Sequence, residues 1–182
     1  MRTAPLLLAA ILSFASACAT TQGAVRDGWF HRKVTVKDED GEHRFDVAWK
    51  TGHPGRAWAD AGDKAADFSY WNSEIGATIY GDTHCGDLYD DAPLTVLANH
   101  LFFGFQSVKT LSQEEAKLGD RAAVQRVSTG TLDGKPVQVG VTVVKKGPCV
   151  FDMVYIAAPH TYSQASGDYG AFVAGFDVRV QR

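Results

Sequence analysis

The densest group of side chains able to do chemistry is Asp82, His84, Cys85, Asp87, Asp90 and Asp91, gathered in one short stretch. Imidazole, thiolate and carboxylate are the usual protein ligands of divalent metals, so Asp82, His84 and Asp87 are candidate metal ligands. The competing reading divides the group. It gives Cys85 to a disulfide and Asp90 and Asp91 to a helix cap, and it leaves the rest as solvated loop. One His with no second His at ligand spacing favours this division. A Cys–His nucleophile would need a free thiolate within hydrogen-bond reach of an imidazole. His84 and Cys85 are adjacent, and adjacent residues of an extended chain point to opposite faces. His100 could serve as a ligand or acid–base group, but its place on a helix suits partial packing at the flank. The chain has no Gly-x-Ser-x-Gly elbow, no phosphate-cradling loop and no dinucleotide fingerprint, so no cofactor and no catalytic residue is assigned.

Asp152 interrupts the apolar run Val150 to Ala157. A buried carboxylate is costly unless paired, so it is expected at an exposed part of a sheet or beside a cation such as Arg121 or Arg126. Two acids distant in sequence could also meet in space as a hydrolase pair, although no pair is singled out. Trp58 and Trp71 are candidates for a binding patch, because Trp is enriched where partners bind. Trp29 and Trp49 belong to the same set. All four also alternate as core residues do.

These groups must be positioned by a few elements. Leu94, Leu97, Leu101, Phe105 and Val108 recur at spacings of three and four, and Phe102 widens their face. With Asp90 and Asp91 to cap and Pro93 in the first turn, the spacing predicts a long central helix over about 91–108. Ser112-Gln113-Glu114-Glu115 reads as a capping box for one further turn. Most of the remainder reads as strands: 30–37, 45–49, 67–71, 75–79, 121–131, 137–143 and 150–157, with the last in the centre of the sheet. Asp133-Gly134 is a hairpin signal. Tyr162, Tyr169, Phe172 and Phe176 suggest a closing helix, followed by an extended tail at Val180. The expected fold class is α+β: an antiparallel sheet of about six strands, packed with the central helix and a C-terminal helix.

The chain opens with Met1-Arg2-Thr3 and an apolar run from Leu6 to Ala17, too short to span a bilayer as a permanent helix. It ends Ala15-Ser16-Ala17-Cys18. This resembles the bacterial lipobox, with Ala15 where that pattern usually has Leu. The resemblance implies a signal peptide over 1–17 and lipid attachment at Cys18. Residues 18–28 then form a tether and 29–182 a single domain. The implied location is the cell envelope, lipid-anchored and facing the periplasm, with Ala19 giving no signal for retention at the inner membrane. Giving Cys18 to lipid leaves Cys85 and Cys149. These come at the end of one strand and the start of another, so they can meet at one end of a sheet as a disulfide. The formal charge is −3 and becomes one unit more negative when Arg2 is removed. That balance predicts no basic footprint for nucleic acid or anionic lipid.

The order of strands, helix, meander and final helix resembles the PsbP-like fold. That fold is shared by an extrinsic subunit of photosystem II, a Ran-binding nuclear transport factor and many small bacterial lipoproteins. The residues that carry the likeness are Pro54 with Trp58, the strand 75–79, the helix from Pro93, Asp133-Gly134, Tyr155, Phe172 and Phe176. The resemblance implies a non-enzymatic accessory or binding subunit. Such a subunit would hold a protein partner or an apolar ligand near the membrane. The rival readings are the hydrolase and a metal-binding module at Asp82–Asp91.

The anchor reading is tested at one residue. Cys18→Ser is expected to leave the precursor unprocessed and to abolish labelling by a fatty-acid analogue. Unchanged labelling of the variant would remove Cys18 from consideration.

Overall fold

The computed structural model describes residues 23–63, 65–86 and 92–182. The stretch 1–17 expected to be a signal peptide, Cys18, Asp87, Asp90 and Asp91 lie outside the described residues.

Alternation of apolar and polar residues builds a small antiparallel sheet. It comprises β1 (Ala24–Arg26), β2 (Trp29–Asp38), β3 (Gly41–Lys50) and β11 (Asp177–Gln181), in that spatial order. Phe30, Val47, Trp49 and Val178 point to the core, with Val34, Phe45 and Val180 packed against them. The intervening residues, among them His31, Lys33 and Arg179, are exposed on the outer face.

The large sheet has seven strands. β4 (Ala59–Asp60), β5 (Phe68–Asn72), β6 (Ala77–Cys85), β10 (Cys149–Ala157), β9 (Lys135–Lys146), β8 (Arg121–Leu132) and β7 (Gln106–Leu118) follow one another across it. Asp133 and Gly134, at φ 50° and 75°, join β8 to β9 in the left-handed conformation that suits the twist of a tight hairpin. β10 holds the middle place, which explains its nearly unbroken apolar run.

The small sheet packs on one face of the large one. Trp49 is fully buried between them, edge-on to Phe68 at 5.0 Å and to Phe151 at 5.4 Å. Gly81 makes the slot, since a Cβ there would fall 2.7 Å from the Trp49 ring. α2 (Ser166–Ala174) covers the same face beside the small sheet, after a 3₁₀ turn at Tyr162–Gln164. Its end touches the chain leaving β3: the Gly52 N–H donates to the Phe172 carbonyl at 2.8 Å. A Cβ on Gly175 would sit 2.1 Å from the Gly52 nitrogen, so two glycine backbones make this contact.

The opposite face of the large sheet carries α1 (Leu94–His100), which presses Leu97, Ala98 and Phe102 onto Val124, Val139, Val141 and Val143. Here the structure corrects the sequence reading. The helix has seven residues, not the span of about 91–108, and Leu101 is only half-buried. Gly104 takes a left-handed φ of 89°, and the chain turns into β7. Val108 and Thr110 suit a strand better than a helix, and the edge of β8 offers their backbone a ladder. The capping-box sequence is therefore mid-strand, with Ser112 to Glu115 paired against Val127 to Val124. The strand count is also corrected. Instead of about six strands in one sheet, the described residues form eleven in two, because β1, β4, β7 and β11 join the seven stretches read as strands.

Leu97→Ala should destabilise the fold by about 2–5 kcal/mol in urea unfolding, as buried Leu truncations do. Val96→Ala, at a side chain 39% exposed, should cost less than about 0.5 kcal/mol. Equal losses would mean that α1 buries a different side.

Candidate functional site

Register brings the acids together. β6 and β10 run antiparallel side by side, with Asp82 directly opposite Asp152 and His84 opposite Val150. These residues share the face with Tyr80, Val150 and Val154, away from the small sheet. His84 Nε2 lies 3.3 Å from Asp82 Oδ2 and 3.9 Å from Asp152 Oδ2. The Thr83 N–H donates to Asp82 Oδ1 at 2.8 Å. Asp152 is only 5% exposed, and its Oδ1 has no hydrogen-bond partner among the described residues.

Burial lifts the Asp152 carboxyl to about 7, and the nearby Asp82 charge adds to the effect. Burial also raises Asp82, with the His84 imidazole pulling the other way. Two facing carboxylates cannot both ionise cheaply, so the pair holds a proton close to neutral pH. Burial, followed by the charges of Asp152 and Asp82, pushes the Tyr80 phenol up to about 12, so it stays a hydrogen-bond donor. On the other face of the sheet, burial raises Asp67 to about 6, and its Oδ2 accepts from Trp49 Nε1 at 2.9 Å.

Asp82, the more open member of the pair, faces a groove of about 660 Å³ lined also by Asp63, Ser69, Trp71, Thr78 and Tyr80, among others. That is the size range of small-ligand sites. Trp71 is 42% exposed and offers an aromatic wall. The groove thus joins an apolar side to an acidic end. A ligand with an apolar body and a cationic or hydrogen-bond-donating group would match it.

Of the sequence candidates, Asp82 and His84 meet here, joined by Asp152. Asp152 is neither exposed nor beside a cation. Arg121 reaches Asp120 at 3.2 Å, and Arg126 stacks over Phe102 at 4.5 Å and donates to Ser128 Oγ at 2.9 Å. Its true neighbour sits on a different strand, and only the register of β6 against β10 reveals that. Among the described residues, no three His, Cys, Asp or Glu side chains converge as a metal would need. Cys85 and Cys149 form a disulfide between paired positions of β6 and β10, with Cα atoms 4.0 Å apart, so neither offers a thiolate. Trp58 is not available as a surface patch. It is 4% exposed, and its Nε1 donates to Asp168 Oδ2 at 2.9 Å beneath α2. His100 is exposed at the end of α1.

Compared by sequence, the chain matches no family model and no curated protein. Compared by fold, it is similar to LpqN, a Mycobacterium tuberculosis protein involved in cell envelope biogenesis. The TM-score is 0.56 at 12% identity, over 85% of this chain and 92% of LpqN. The likeness is of fold alone: two packed antiparallel sheets with helices. The cyanobacterial PsbP protein CyanoP of Synechocystis sp. PCC 6803 gives a TM-score of 0.49 at 8% identity, over 74% of this chain and 86% of its own. PA94 of Pseudomonas aeruginosa, of unknown function, gives 0.48 at 8% identity, over 78% and 94%. Both fall below 0.5.

The carboxylate pair makes stability depend on pH. A folded pKa raised above the unfolded value means that the folded state holds its proton more tightly. Stability is therefore highest below about pH 4 in this contribution and falls as pH rises through about 7. Asp67 acts in the same direction up to about 6. Asp152→Asn should stabilise the fold at pH 8, by about 4 kcal/mol at most, and should change little at pH 4. Denaturant unfolding at the two pH values checks this. A variant destabilised at pH 8 would show that the charged carboxylate is welcome where it stands.

Proposed function

We propose that this chain is an envelope lipoprotein, tethered through Cys18, whose domain is a non-enzymatic accessory module. In this reading it faces the periplasm, at the outer membrane. The domain holds an amphipathic ligand, or a segment of a partner protein, in the groove at Trp71 and Tyr80. The apolar part lies on the aromatic side chains, and a donor or cationic group meets Asp82 and Asp152. The observation that carries this reading is Asp82, paired across the strands with the buried Asp152, standing in the wall of an aromatic groove. A buried, partly unsatisfied acid pair costs stability, and sites that keep such a pair usually use it. The envelope setting is supported by the Cys18 pattern and by the envelope-biogenesis role of LpqN. The fold is read as PsbP-like on the pattern around Pro54, the Asp133-Gly134 hairpin and the closing aromatic helix.

A second reading uses the same atoms. With its proton held near neutral pH, Asp152 could act as a general acid and Asp82 as a base in hydrolysis. The two readings separate on one variant. Asp152→Asn would abolish turnover in a hydrolase and leave capture of the substrate intact.

A photo-crosslinking residue at Ala61, which lines the groove, should capture one envelope component in cells. The same residue at Thr35, on the small sheet, should not. Trp71→Ala or Asp82→Asn in the same chain should reduce the Ala61 adduct about ten-fold, the scale of losing one binding hot spot. Equal adducts from both positions, or indifference to Trp71→Ala, would remove the groove from the function.

A further inference from the structure

The charge balance of the whole chain hides a local excess. The outer face of the small sheet holds a shallow groove of about 520 Å³. Register explains its shape. Ala24, His31, Ala48 and Arg179 form one row across β1, β2, β3 and β11, so Ala48 makes a low floor between His31 and Arg179, and Ala24 leaves the far side of His31 open. Arg26 and Lys33 add further walls, and Asp46 is the one acid among the described lining residues. Lys33 stands opposite Asp46, so the Arg26 and Arg179 charges are left in surplus. Beside the groove, Trp29 lies under both Lys50, at 4.9 Å, and Arg179, at 4.2 Å. An aromatic ring held under cations is a pattern suited to a membrane–water interface.

The place where the chain enters the fold singles out an occupant. β1 is an edge strand of this same sheet and begins at Ala24. From Cys18 to Ala24 the chain can reach only about 20 Å however it runs. A lipid on Cys18 would therefore hold the basic face close to the headgroups, at high effective concentration. Anionic headgroups attract clustered Lys and Arg within about a Debye length.

We propose that the outer face of the small sheet, centred on Arg26, Trp29, His31 and Arg179, docks on the anionic phospholipid surface of the membrane that holds the anchor. This rests on the lipoprotein reading above. It also fixes the orientation of the domain, turning the opposite side of the molecule, with the Trp71 groove, away from the bilayer.

The test is hydroxyl-radical footprinting of the full chain on phosphatidylcholine vesicles, with and without roughly one third phosphatidylglycerol. Oxidation of Trp29 and His31 should fall about five-fold on the anionic vesicles only, given the energy of about one Lys or Arg at such a surface. Phe103, 95% exposed, should be equally oxidised on both. Arg26→Glu with Arg179→Glu should restore oxidation, and high salt should do the same for the unaltered chain. Mass spectrometry of the same sample reports whether Cys18 carries lipid. A lipid-bearing chain that binds both vesicle types with Trp29 equally oxidised keeps the anchor and overturns the docking face. A chain without lipid that still protects Trp29 on anionic vesicles alone keeps the face and overturns the anchor. Protection by a soluble polyanion with none by vesicles also overturns the proposal.

Discussion

The fold depends on the burial of one indole. Trp49 fills the space between the two sheets, beside the ring contact of Phe30 with Phe68 at 6.2 Å. It is fully buried and rests on Phe68, Phe151 and Phe176. The geometry is restrictive on both sides. Gly81 must lack a side chain to admit the ring, and Asp67 must accept the Nε1–H, because an unpaired indole donor would be costly at this depth. Asp67 becomes a strongly perturbed acid as a result. The packing of the sheets thus puts an acid on the core side of β6, close to the pair on its other side.

The two faces of β6 and β10 follow different rules. The core side is closed by ring packing, a disulfide and a helix. On the other side α1 covers β8 and β9, and the Asp82–Asp152 row lies beyond it. A hydrophobic residue at Asp152 would suit a central strand better. The acid lowers stability at neutral pH and leaves one oxygen without a partner. The groove lies beside Asp82, the other half of the pair, so a donor or cation placed there would offset the charge the two acids share.

Local periodicity carried much of the architecture into the sequence. Strict alternation in β2, β3 and β9 and the Asp133-Gly134 hairpin were legible, because each is decided by neighbouring residues. The apolar run of β10 and the closing aromatic helix were legible for the same reason. The central helix was misread because Leu94 to Val108 keeps helical spacing past His100, where Gly104 and a waiting sheet edge redirect the chain. Tertiary pairing overrode local preference there. The candidate site was half legible. Asp82, His84 and Asp152 each stood out singly by type or context, but their meeting depends on a strand register set far along the chain. Trp58 and Trp71 were indistinguishable by composition, and only packing separates a core ring from an exposed one. The basic face was hidden for a similar reason, since alternate residues of four strands share one surface while the total charge stays negative.

The long edge of the large sheet has a further effect. β7 runs for 13 residues with one side unpaired, a length that could template the strand of another molecule. It is not a flat edge. Its pairing slips twice, between Gln106 and Lys109 and between Thr110 and Ser112, and Ser107 sits at φ 52°. Lys109, Glu114, Glu115 and Lys117 stud the same strand with charge. Copies of any domain at high local concentration meet edge to edge often. A kinked, charged border lets them crowd side by side without zipping into a continuous fibre.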